Sequence, residues 1–258
     1  MAPAPFAAGL AKPDLSSNDS KVLQALFDAE SSPSPASATA QTDESLPPLP
    51  HISASELPDL QKREAHAIGS LQNPDISPSL EEINTAISQL SVIITHHPKY
   101  ASAYLNRAQA HRLLIDIRNK ETSSSSSAPS TPTPATQLFS DLADTITLLT
   151  PNLPTSPTSP LQARLLASAH THRAYMLYKA ARTETSAEDR KDLLPQTLQD
   201  ASNERLEEMA SFDFQAGGRY GNPVAKQMAV HTNPYAKMCG AIVKDAMQAE
   251  IKQWADSR

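Results

Sequence analysis

At 258 residues the chain is long enough for one large domain or two small ones, yet only 39% of it is hydrophobic and it carries 22 prolines, so not all of it can fold. The formal net charge of −6 resides in residues 1–59, where eight acidic residues face only Lys12 and Lys21, leaving 20 residues of each sign in residues 60–258. That balance excludes the broad basic face nucleic acid requires, and the single cysteine, Cys239, excludes an internal disulfide framework.

No run reaches the ~18 apolar residues of a membrane span. Met1-Ala2-Pro3-Ala4-Pro5-Phe6 lacks the basic and apolar regions of a secretory leader, and no arginine precedes Arg63. A cytoplasmic protein with possible access to the nucleus is expected. Residues 1–59 read as a disordered acidic Pro/Ser-rich tail, because such a composition buries too little apolar surface to offset ordering entropy. One island breaks it, at 18–28. There Val22, Leu23, Leu26 and Phe27 share a helical face behind an Asn18 or Asp19 cap, the pattern of a short docking motif.

Folded structure is expected from about residue 60, with a first helix to Leu71 and a loop at 72–78. Ser79-Leu80-Glu81-Glu82 forms a capping box, and Ile83, Ala86, Ile87, Leu90, Ile93 and Ile94 then follow at the spacing of a buried helical stripe. Pro98 stops this helix, and the next, to about Ile117, carries an aromatic at Tyr104 and a small residue four positions on at Ala108. Residues 120–137 form a Ser/Pro-rich insert, which a helical hairpin tolerates because loop closure costs only ~0.6 kcal/mol per doubling of length. Leu138, Phe139, Leu142, Ile146 and Leu149 restore the stripe until Pro151. A Pro/Ser/Thr linker runs to Pro160. A helix from Leu161 to about Arg182 follows, then a partner marked by Leu198, Leu206, Met209 and Phe212. Asn222-Pro223 and Asn233-Pro234 are helix starts, Asn capping and Pro filling the first turn.

The aromatic and small residue at i, i+4 just after a helix-stopping proline are the mark of a tetratricopeptide helix A, in which the small residue lets the next helix approach closely. The expected architecture is all-α: a right-handed α-solenoid of three tetratricopeptide hairpins plus capping helices, spanning 60–255. Repeat one covers about 60–98, repeat two about 99–151 and repeat three about 161–214. Capping helices are expected at about 223–231 and 234–254.

Three segments together resemble the tetratricopeptide repeat protein 36 family. Ala101-Ser102-Ala103-Tyr104-Leu105-Asn106-Arg107-Ala108-Gln109-Ala110-His111-Arg112-Leu113 is similar to its second-repeat signature, Val22-Leu23-Gln24-Ala25-Leu26-Phe27 to its N-terminal motif, and Asn233-Pro234-Tyr235-Ala236-Lys237-Met238-Cys239 to its C-terminal segment. The insert at 120–137, the loop at 72–78 and Gln215–Tyr220 depart from a compact member. The resemblance implies a small three-repeat adaptor, associated with tyrosine metabolism through stabilising a catabolic enzyme.

In such repeats the A helices line a concave face. Counting from Ala65, Ala108 and Ala174 as the small residue nominates Lys62, Arg63 and His66; Ser102, Leu105, Asn106, Gln109 and Arg112; and Thr171, His172, Tyr175, Tyr178 and Lys179. Four of these are permanently basic and none is acidic, so the groove should favour an acidic or C-terminal carboxylate segment of a protein partner. A chaperone-binding carboxylate clamp finds Lys62 and Asn106 in place, but His66, Ser168 and His172 where Asn and two basic residues are needed. The alternatives are therefore an adaptor for a metabolic enzyme and a co-chaperone with half a clamp. No catalytic, metal or cofactor residues are expected. His170-Thr171-His172 and His96-His97 lack the i, i+4 spacing of a helical zinc pair, and neither a Gly-rich phosphate loop nor a Gly-x-Ser-x-Gly elbow occurs. A monomer is expected.

Overall fold

A computed structural model describes residues 39–72, 77–121, 133–153, 155–182, 190, 192–233, 245–248 and 252–254. The docking motif at 18–28 and Cys239 lie outside them, as does most of the second capping helix. The described residues are helical and include no strand, only an isolated bridge between Thr42 and Thr158. The main elements are α1 (Leu57–Ile68), α2 (Leu80–His96), α3 (Ala101–Glu121), α4 (Pro134–Leu149), α5 (Pro160–Arg182), α6 (Asn203–Arg219) and α7 (Pro223–Thr232), with 3-10 turns at Gly69–Gln72 and Gln196–Leu198.

The helix starts follow local chemistry. The expected capping box opens α2, where Ser79 Oγ accepts from the Glu82 amide at 3.2 Å and Glu82 Oε2 accepts from the Ser79 amide at 2.8 Å. Thr133 caps α4 and Asn222 caps α7, each followed by proline in the first turn. Pro98 and Pro151 stand just past the ends of α2 and α4. On α2 the residues buried are Ile83, Ala86, Leu90, Ile93 and Ile94, the stripe read from spacing.

Each helix packs on its chain neighbour and α3 also meets α5, an arrangement consistent with a helical solenoid. The main core joins Leu60, Leu90, Tyr100, Ala108, Leu138, Leu142, Leu166, Leu177, Leu206 and Phe214. A smaller cluster of Ile83, Ala110 and Leu114 seals α2 against α3. Each large side chain so buried contributes about 1.5–3 kcal/mol.

The ends of the expected insert at 120–137 belong to helices, 120–121 to α3 and 134–137 to α4, and three further expectations need correction. Residues 39–56, assigned to the tail by composition, are ordered against the helices. The Ala40 amide donates to Arg219 O at 2.8 Å, the Asp43 amide to Thr158 O at 2.9 Å, and Ser159 Oγ to Pro48 O at 2.6 Å, while Leu49 and Ile52 enter the core. Two apolar side chains and a few backbone bonds suffice because the helices already present fixed partners. Consequently α1 begins at Leu57 rather than Leu60.

The second correction is on α6, which starts at Asn203. Leu198 therefore sits in the preceding 3-10 turn, and Phe212 is 63% exposed while Phe214 is buried. The third concerns Gln215–Arg219, expected as a loop, which forms the last turn of α6. A Cβ at Gly217 would lie 2.7 Å from Thr171 Oγ1 and 3.1 Å from the Ala225 Cβ, and one at Gly218 would lie 3.0 Å from the Lys226 Cα. The two glycines let α6 close against α5 and α7 at once.

Candidate protein-binding face

Two hairpins are built on the same polar clasp. Arg107 stands immediately before the small buried Ala108 on α3, and its Nε and Nη2 donate to Asp141 of α4 at 2.9 and 2.7 Å. Arg173 stands immediately before the small buried Ala174 on α5, and its Nε and Nη2 donate to Asp213 of α6, both at 2.7 Å. Both carboxylates are buried and both guanidinium contacts are bidentate. Asp213 also accepts from His170 Nδ1 at 2.8 Å. Burial alone would raise the Asp213 pKa, but the bonds from His170 and Arg173 outweigh it and hold the carboxyl below its ordinary value. Sequence reasoning missed these pairs, although the Arg-Ala dipeptide at equivalent positions was visible; the aspartates stand 34 and 40 residues on, across loops of unequal length.

The first hairpin departs from that register. Ala65 is exposed, whereas Leu57, Leu60, Glu64 and Ala67 are the buried face of α1. Glu64 crosses to α3, accepting from the Tyr100 hydroxyl and from Asn106 Nδ2, each at 2.6 Å. Burial and the adjacent Glu64 carboxylate drive the Tyr100 pKa upward. Asn106, counted above as a groove residue, is thereby committed to an internal contact.

The other nominated residues separate into two sets. Lys62, Arg63, His66 and Gln109 are exposed, and Ser102 and Arg112 are half-buried. Tyr175 is 46% exposed. Lys179 pairs with Asp116 of α3 at 3.1 Å, so the α3–α5 face holds an acid that the sequence count did not include. His172 also belongs to this seam: it is only 8% exposed, and burial first, then the Arg112 charge, push its pKa down to about 4, with Asp116 opposing. Leu105, Thr171 and Tyr178 are turned away. Leu105 joins the core, Thr171 Oγ1 donates to Ala167 O at 2.6 Å beside Gly217, and the Tyr178 ring meets Phe214 of α6 edge-on at 6.3 Å. Thr171 and Tyr178 share one stripe of α5, one position and so about 100° round the helix from His172 and Lys179, a difference that position counting from one alanine does not resolve.

Of the other histidines, His96, His97 and His111 have partners or burial. His96 Nδ1 lies 2.7 Å from Val92 O, and His97 Nδ1 lies 2.8 Å from Glu56 Oε1. His111 is buried with neither ring nitrogen bonded, and burial drives its pKa down to about 4 against the pull of Asp141. Among the described residues there is no group of three or more His, Cys, Asp or Glu that could hold a metal ion, and no helix is long and apolar enough to cross a membrane.

No protein-family model matches the chain, and no solved structure does. A protein of Aspergillus fumigatus, named as the L-tyrosine degradation gene cluster protein hmgX, is 52% identical over 249 residues, which cover 93% of this chain and 95% of that protein. With identity of that level sustained across nearly the whole of both chains, the chain belongs to the family of the L-tyrosine degradation gene cluster protein hmgX.

Proposed function

We propose that the protein is a non-enzymatic adaptor of tyrosine degradation, built as three tetratricopeptide-type hairpins whose first helices offer a face to an acidic or extended segment of a pathway enzyme. The duplicated Arg–Asp clasp carries the architectural half of this reading. The same bidentate bond at the same place in α3/α4 and α5/α6 is what a repeated hairpin unit would contain, and such units bind along the face of their first helices. The relative's name supplies the pathway. Exposed Lys62, Arg63, His66, Gln109 and Tyr175 supply positive charge, hydrogen-bonding groups and one aromatic to that face. A cytoplasmic, monomeric protein of the tetratricopeptide repeat protein 36 type fits this reading.

The co-chaperone alternative is the weaker one, because Asn106, one of the two clamp residues present, is held by Glu64. Affinity capture from native extract of cells grown on tyrosine separates the readings. The wild-type chain should recover one tyrosine-degrading enzyme, and the doubly substituted Lys62→Glu, Arg112→Glu chain should lose it. Recovery of chaperones alone would favour the clamp. Turnover of a tyrosine-derived acid by the purified chain, with no enzyme captured, would sink the adaptor.

A further inference from the structure

In a helical solenoid each unit rests mainly on its neighbours, so the first hairpin is spaced from the third chiefly through the second. Residues 40–56 add a direct connection. At one end this strap holds the third hairpin. The Ala40 amide donates to Arg219 O at the end of α6 at 2.8 Å, and Ser159 Oγ donates to Pro48 O at 2.6 Å. Between them Thr42 forms a parallel bridge with Thr158, framed by bonds from the Asp43 amide to Thr158 O at 2.9 Å and from the Thr158 amide to Gln41 O at 3.0 Å. Thr158 and Ser159, which lead into α5, are themselves buried. At its other end the strap runs into α1 at Leu57, and there Glu56 Oε1 lies 2.8 Å from Nδ1 of His97, the C-cap of α2.

The strap is a constraint and not a loop draped over the helices. Leu49 and Ile52 anchor it in the core, and His51 between them has a φ of 69°, a left-handed conformation that a residue with a side chain keeps only where its surroundings hold it. Pro47, Pro48 and Pro50 fix φ along the same stretch, which lowers the entropy lost when the strap is laid down. From Pro48, its last bond to the third hairpin, to Leu57 the chain advances nine residues and spans at most about 30 Å when fully extended. The first hairpin can therefore move away from the third only by breaking one of these attachments.

We propose that residues 40–56 are a latch that sets the separation of α1 from α5, and with it the width of the face those helices form with α3. The latch deepens the adaptor reading and rests on it only in that this face is the one offered to a partner; the separation itself needs no partner to be present. A face held at one width loses less freedom when a segment binds along it, so the latch would raise affinity without touching the ligand.

Pulsed electron spin resonance on the full-length chain, with Cys239→Ser, reads that separation between spin labels at exposed positions. Gln61→Cys on α1 with Arg164→Cys on α5 reports the latched pair, and Asn119→Cys on α3 with Arg164→Cys reports a pair of neighbouring hairpins. Inserting Gly-Ser-Gly-Ser between Ile52 and Ser53 keeps every residue of the attachments and adds up to about 14 Å of slack. The α1–α5 distance distribution should then broaden and shift outward, while the α3–α5 distribution keeps its wild-type form. Leu49→Ala, which removes an anchor without lengthening the strap, should broaden the α1–α5 distribution less; circular dichroism checks that both variants fold, and if the insertion does not, Leu49→Ala carries the test. An unchanged α1–α5 distribution in the folded variants, or equal broadening of both distributions, overturns the latch. Enzyme capture is scored separately. A wild-type chain that captures no enzyme sinks the adaptor and leaves the latch standing, whereas capture by a chain whose α1–α5 distance ignores the slack does the opposite.

Discussion

The first hairpin and the two that follow are held in different ways. The α3/α4 and α5/α6 hairpins each lock their own two helices with a buried arginine–aspartate clasp. The α1/α2 hairpin has no counterpart. Its buried acid, Glu64, reaches forward to Tyr100, just ahead of α3, and to Asn106 of α3, and the stretch 39–56 that leads into it is tied to Ser159, Thr158 and Arg219, far along the chain. The clasped hairpins carry their own specificity, whereas the first depends on its neighbours. A solenoid allows this, because each unit is stabilised by an intrinsic part and by the interface with the next.

The sharpest way to break that contrast is to remove a clasp. Asp141→Ala leaves Arg107 buried without its counter-ion, and Asp213→Ala does the same to Arg173 and His170. Each should cost about 3–5 kcal/mol in urea denaturation. If either change is neutral, the clasp is incidental and the comparison fails.

Acid should act on the clasped hairpins next. Among the described residues the imidazoles held at about 4 are His111 on α3 and His172 on α5. In the unfolded chain they take up a proton near pH 6.5; in the fold they do not until about pH 4. Their stabilising contribution is therefore full above pH 6.5 and is lost as pH falls from 6.5 to 4, on the order of 3 kcal/mol per ring at the end of that window. Urea midpoints measured between pH 7 and 4.5 should fall, and His111→Asn should flatten the slope.

Smaller effects probe the joints. Glu64→Gln should cost about 1–3 kcal/mol, because it weakens two charge-assisted bonds without stranding a charge. Hydrogen exchange should show α1 opening before α3; simultaneous opening would erase the distinction between self-held and neighbour-held hairpins. Gly217→Ala should cost about 1–3 kcal/mol, since its methyl would overlap Thr171 Oγ1, itself bonded to Ala167 O, as well as Ala225. Lys62→Ala, on the exposed face of α1, should leave stability within about 0.5 kcal/mol while reducing partner capture.

Much of the helical layout was legible in the chain because its signals are local. The Ser79 capping box, the Asn222-Pro223 start, the stops at Pro98 and Pro151 and the stripe from Ile83 to Ile94 each depend on residues within a few positions of one another. The misreadings arose where local signals were weak or indifferent. Leu49 and Ile52 are too sparse to mark a folded segment until the helices beneath them exist. Phe212 and Phe214 are equally apolar, and only packing against α5 determines which one turns inward. The face expected to carry no acid acquires one when the α3–α5 approach brings Asp116 to Lys179.

By itself, then, the sequence determined an all-helical chain, where most of its helices begin and end, and where its charge lies, because caps, prolines and i, i+3/i+4 periodicity act over one or two turns. Tertiary structure alone decided which arginines find which aspartates, that Asn106 belongs to Glu64, that Thr171 and Tyr178 leave the groove, and that Lys179 meets Asp116. Those outcomes depend on the approach of helices separated by 34 to 63 residues of chain, and no short-range rule carries that distance.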